Sequence, residues 1–184
     1  IDGSNVNMGK DALPSILSDA LSVGFDTNVG HDYIENAEER FDFYHRIEEK
    51  LEFDLDMFNK ITEGGLSNKT LNVALAGTGV GKSLFMCHCS ASAIAKGKNV
   101  LYITLEMSEE RIAERIDANL MNLPIQDLKD LSKTMFDDRI SKINDKIQGR
   151  LIIKEYPTAS AHTGHFKALL QELKLKRNFA PDII

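Results

Sequence analysis

Ala76-Gly77-Thr78-Gly79-Val80-Gly81-Lys82-Ser83 has the make-up of a loop shaped around phosphate. Successive backbone N–H groups can converge on an anion only where side chains stay out of the way, and Gly77, Gly79 and Gly81 keep them out. Lys82 supplies a mobile ammonium for the outer phosphates of a nucleoside triphosphate. Ser83 supplies a hydroxyl for the Mg²⁺ that travels with them. The strict pattern of such loops begins with glycine, and Ala76 stands in that place here. The candidate nucleotide-binding residues are therefore Ala76, Gly77, Thr78, Gly79, Val80, Gly81, Lys82, Ser83 and Leu84, with ATP or another NTP as ligand and Ser83 on the metal. The plainer alternative is a glycine-rich turn between a strand and a helix.

The flanks fit the first reading. Leu71-Asn72-Val73-Ala74-Leu75 is a short apolar run suited to a buried strand, and the helix formers after Gly81 continue to Gly97, a natural stop. A helix that starts at Lys82 would direct free N–H groups and the positive end of its dipole at the phosphates. Downstream, Asn99 to Leu105 reads as a second strand, and Ser108 opens a helix to about Asn122. A short helix follows to about Leu131, then a mostly polar one from Ser132 to Gln148. Arg150 to Tyr156 is a third strand, stopped by Pro157. The run His165 to Leu173 is helical, with Phe166, Leu169, Leu170 and Leu173 inward. A fourth strand begins at Ile183-Ile184. This alternation is the pattern of an α/β doubly wound, mainly parallel sheet.

Ligands gather outside the carboxyl ends of strands in such sheets, so Glu106 is a candidate base for the water that attacks the γ-phosphate. Its alternative roles are to cap the following helix or to pair with Arg111 or Arg115. His162 and His165 lack a third ligand of suitable spacing and read as solvent-facing. Lys174, Lys176 and Arg177 read as complements to a helix dipole, with a DNA-binding patch as the alternative.

Ahead of the loop, Leu13, Ile16, Leu17, Ala20 and Leu21 form one apolar stripe on a helix. A charged helix is expected from Glu35 to Leu51, with Phe41, Tyr44, Ile47 and Leu51 buried. The glycine pair in Thr62-Glu63-Gly64-Gly65-Leu66 marks a turn, which places the division between a helical segment, 1–60, and a nucleotide-binding core, 61–184, near Ile61.

The chain has 184 residues, 42% apolar and 27% charged, the balance of an ordinary globular protein. A net charge of −6 disfavours non-specific attraction to nucleic acid, so any DNA contact is expected from a local patch or from residues outside this sequence. No apolar run approaches the roughly 18 residues of a membrane span, and the first residues resemble no signal peptide. The only cysteines, Cys87 and Cys89, point about 200° apart on a helix. They read as buried thiols of a reducing compartment. The first residue is not Met, so a longer gene product is expected.

Taken together, Ile61-Thr62-Glu63-Gly64-Gly65-Leu66, the loop with its alanine start, Leu101-Tyr102-Ile103-Thr104-Leu105-Glu106-Met107, Arg115-Ile116-Asp117-Ala118-Asn119 and Arg150 to Thr158 resemble the motor domain of ring-shaped replicative helicases of the DnaB class. The resemblance is strongest to the branch found in T-even-type tailed phages. It implies a RecA-like P-loop NTPase core, a homo-oligomer in the form of a hexameric ring, and NTP bound between neighbouring subunits. It also implies 5′ to 3′ movement on single-stranded DNA, primase and a helicase loader as partners, no membrane association, and a place in the cytoplasm, that of the bacterial host for a phage protein. Residue by residue, Lys82 and Ser83 match the phosphate and metal positions and Glu106 the water-activating glutamate; Lys82 and Glu106 are the candidate catalytic residues. Leu13–Leu21 matches the linker helix that docks on the adjacent subunit. The family's second metal-holding aspartate belongs to the strand that Ile183-Ile184 begins, and Asp182 is too early for it. The DNA-contacting loops and arginine finger also lie beyond these residues, so the chain alone is expected to hydrolyse poorly. Two other readings share the loop: a RecA-like recombinase or clock-type ATPase, and a module whose bound nucleotide only orders an oligomer.

Overall fold

A computed structural model describes residues 30–46 and 48–184; the helix expected at Leu13–Leu21 lies outside them. The chain divides into two compact units, the second running from Glu48 to Ile184.

In the first unit, Ala37–His45 form a helix, α1, with no buried residue. This is shorter than the expected Glu35–Leu51, and its supposed inner face is open: Phe41 and Tyr44 are 61% and 70% exposed. The reason lies at both ends of the segment. Arg46 is already extended, with ψ 124°. Leu51 cannot be helical, because its N–H and C=O are both engaged by Leu66 at 2.8 Å in an antiparallel bridge.

The second unit is built on two parallel strands, β1 (Val100–Thr104) and β2 (Leu151–Glu155), in register from Val100 opposite Leu151 to Thr104 opposite Glu155. Helices flank them in the order α2 (Asp56–Ile61), α3 (Lys82–Ala95), α4 (Glu109–Met121), a 3₁₀ turn (Ile125–Asp130), α5 (Lys133–Asn144) and α6 (Thr163–Arg177). Ile183 adds a single parallel bridge to Val100 on the other edge of β1.

Strand side chains alternate between faces, and the core follows that alternation. Tyr102, Leu151 and Ile153 pack with Cys87 and Ala91 of α3 and Ile112 and Ile116 of α4. Leu101, Ile103 and Ile152 pack on the opposite side with Leu169, Leu170 and Leu173 of α6 and with Phe179. At the amino ends of the strands, Val100 meets Ala93 and Ile94, joined by Leu51 from ahead of the loop. Leu101 is wholly buried and Phe179 1% exposed. Of the inward positions expected on α6, Leu169, Leu170 and Leu173 join this cluster and Phe166 lies half-buried against Tyr156; the fold is α/β with a small parallel sheet between helices.

The strand expected at Leu71–Leu75 is not formed. Leu71, Val73 and Leu75 are 90%, 79% and 96% exposed. A strand is held by ladder hydrogen bonds and cross-strand contacts, and among the described residues this stretch has no neighbouring strand to supply them.

Two tests follow. Phe179→Ala empties a filled site and should cost about 3–5 kcal/mol of stability in urea titration. Burial pushes the Cys87 thiol up and that of Cys89 from 9.0 to about 11. Both should resist alkylation at pH 8 until the protein is unfolded. Since the fold favours protonated Cys89, its stabilising effect should be complete below pH 9.0 and fade as the pH rises to about 11; Cys89→Ala should remove that slope.

Candidate functional site

The turn 78–81 runs directly into α3, and Gly81, at the N-cap, has φ 105°. Gly79 has φ 76°, and a Cβ at either glycine would meet no atom within 4 Å. Space would therefore admit a side chain there; the left-handed backbone is what calls for glycine. The Gly81 carbonyl closes the first turn by accepting from Phe85 N at 2.9 Å.

The amino end of α3 is electrostatically bare. It has no side-chain cap and no acidic residue in its first turn, whereas α4 and α5 are capped by Ser108 and Ser132. Lys82 is exposed and Ser83 half-buried, and neither side chain has a hydrogen bond or ion pair among the described residues. Free N–H groups, an unopposed dipole, a free ammonium and a free hydroxyl form a donor set that fits a polyphosphate and its Mg²⁺.

α3 runs antiparallel to β1. Toward its carboxyl end, Ala93 and Ile94 pack on Val100; two turns earlier, Cys87 lies beside Tyr102, with Sγ 4.0 Å from the hydroxyl. Moving toward the amino end of the helix thus means moving toward the carboxyl end of the strand. The loop and Glu106 accordingly come to the same end of the sheet, although Lys82 and Glu106 are 24 positions apart in the chain.

Glu106 is exposed and lies just past β1. The other roles open to it are filled by its neighbours. Ser108 caps α4 by accepting from Arg111 N, Arg111 pairs with Glu114 at 2.9 Å, and Arg115 donates to Met107 Sδ at 3.1 Å. The Glu106 carboxylate has no partner among the described residues. Three side chains that the sequence did not single out, Thr104, Glu109 and Thr158, hydrogen-bond around it.

His162 and His165 are exposed, as expected, and also do local work: His162 Nδ1 accepts from Gly164 N, and His165 Nδ1 from His162 N, at the start of α6. No group of three or more potential metal-ligating side chains occurs among the described residues. Nor does any described helix have the length and apolarity to cross a membrane.

Comparison with known proteins concerns the family of the chain. The sequence profile of the DnaB-like helicase C terminal domain matches residues 51–179. A DnaB-like replicative helicase of Enterobacteria phage T4 is 46% identical over 176 residues, which cover 94% of this chain and 37% of the phage protein. The chain thus spans little more than a third of the length of that relative.

Because Ser108 and not Glu106 caps α4, the two residues should separate in stability measurements. Ser108→Ala should cost about 1 kcal/mol, whereas Glu106→Gln should stay within about 0.5 kcal/mol of the parent in urea titration.

Proposed function

Given that the chain belongs to the family of the DnaB-like helicase C terminal domain, we propose that it is the nucleotide-binding part of an NTP-driven replicative helicase motor. The observation that carries this reading is the antiparallel run of α3 along β1, which brings an uncapped phosphate loop and an unpartnered carboxylate to one end of the sheet.

In this proposal the backbone N–H groups of 77–81 and the amino end of α3 cradle the phosphates of ATP or another NTP, with Ala76 opening the loop and Leu84 closing it on the helix. Lys82 reaches the outer phosphates and holds charge that develops there. Ser83 gives its hydroxyl to Mg²⁺, which neutralises phosphate oxygens when bound. Glu106 orients a water and accepts its proton as that water attacks the γ-phosphorus, while the bond from that phosphorus to the β–γ bridging oxygen breaks and the nucleoside diphosphate leaves with the electron pair. The same reading assigns the chain to a hexameric ring that moves 5′ to 3′ on single-stranded DNA, with primase and a loader as partners. Leu13–Leu21 docks on the adjacent subunit, as part of a helical segment that precedes the RecA-like core. The T4 relative's name, a DnaB-like replicative helicase, supports the replicative-helicase part of this reading.

The test is hydrolysis by the full-length gene product, with and without single-stranded DNA. Lys82→Ala should abolish nucleotide binding. Glu106→Gln should bind nucleotide yet lose roughly 10²- to 10⁴-fold in kcat. Turnover that survives Glu106→Gln would overturn the role given to this carboxylate. Nucleotide-dependent assembly without turnover in the parent protein would favour a module that uses nucleotide only to order an oligomer.

A further inference from the structure

A general base on a loop works only if its backbone is held still, since a misplacement of about 1 Å can cost a hundredfold in rate. The turn that carries Glu106 is held by side chains on three sides. Thr104, the last residue of β1, is 6% exposed. Its hydroxyl donates to Met107 O at 2.8 Å and accepts from Met107 N at 3.1 Å. One oxygen thereby closes a loop around Leu105 and Glu106.

The crest of the turn is tied from outside. Thr158, in the connection after β2, donates its hydroxyl to Leu105 O at 3.0 Å. Beyond the turn, Glu109 Oε1 accepts from Glu155 N at 3.0 Å, which fastens the start of α4 to the end of β2. Thr104 O in turn accepts from Tyr156 N at 2.9 Å. The backbone on either side of Glu106 is fixed while its carboxylate has no partner among the described residues.

We propose that the Thr104 hydroxyl, assisted by Thr158, is a positioning element for Glu106: it fixes the peptide from which the carboxylate reaches the attacking water. The proposal rests on the role given to Glu106 above. Thr104 touches neither water nor nucleotide; it acts through the turn. A threonine methyl would serve the core as well as a valine methyl, so the hydroxyl is the functional part.

The experiment is single-turnover NTP hydrolysis by the full-length protein carrying Thr104→Val, Thr104→Ser, Thr158→Val or Glu106→Gln, with Thr104→Val also combined with Glu106→Gln. Thr104→Val should lower the rate of hydrolysis about ten- to a hundredfold and leave nucleotide affinity within about twofold of the parent. Thr104→Ser should restore the rate. In the Glu106→Gln background, Thr104→Val should cause no further loss, because the group it positions is gone. Thr158→Val alters an exposed side chain and tests the same turn if Thr104→Val does not fold; it should lower the rate in the same sense. An inactive Glu106→Gln beside an unimpaired, folded Thr104→Val, or beside an unimpaired Thr158→Val where Thr104→Val does not fold, would overturn the positioning role alone. So would an equal loss from Thr104→Val with and without Glu106. Hydrolysis undiminished by Glu106→Gln would overturn the underlying reading, and the positioning role with it.

Discussion

Parallel pairing of Val100–Thr104 with Leu151–Glu155 is the constraint from which the rest of the second unit follows. A parallel pair cannot be joined by a tight turn; the chain must travel back along the sheet before it starts the next strand. Here that return is made by α4, the 3₁₀ turn and α5. Both strands then end on one side, and the segments leaving them, 105–108 and 156–162, become neighbours. Thr158 reaches Leu105 O, and Glu109 reaches Glu155 N, only because of this shared direction. Placement of the candidate chemistry is thus a property of sheet topology before it is a property of any loop.

How legible each part was depended on how local its cause is. β1, β2, α4 and α6 could be read closely because their signals are short-range: short continuous apolar runs in the strands, a serine at the start of α4, and apolar positions three and four apart on α6. Ser108 caps as the sequence led one to expect. The two misreadings both concern long-range causes. Leu71–Leu75 has the composition of a strand, but composition provides no neighbour. Leu51 fits the helical spacing of Phe41, Tyr44 and Ile47, yet its backbone is committed to Leu66 and its side chain to the cluster around Val100.

The candidate site divides in the same way. Its glycine loop was visible as a string of glycines with a lysine and a serine, because a backbone that must bend into the left-handed region leaves a mark in residue type. Glu106 was visible only through its place after a strand. The frame around it was not visible at all. Hydrogen bonds from a threonine hydroxyl to backbone groups have no sequence signature when the partners lie on a different strand connection, as Thr158 and Leu105 do.

The inner side of α3 is made largely of small side chains: Cys87, Ser90, Ala91 and Ala93 are buried there, with Ile94 the one large exception. Small residues let a helix approach a sheet closely, and in a close-packed interior that separation has little slack. Since α3 carries the glycine loop at its tip and rests on β1 behind it, the height of the loop above the sheet is set roughly two to three turns away, at Ala91 and Ala93. Those alanines act as a spacer whose thickness fixes the reach between the two halves of the site, so the tolerance of the loop to change extends back along the helix well past its last glycine.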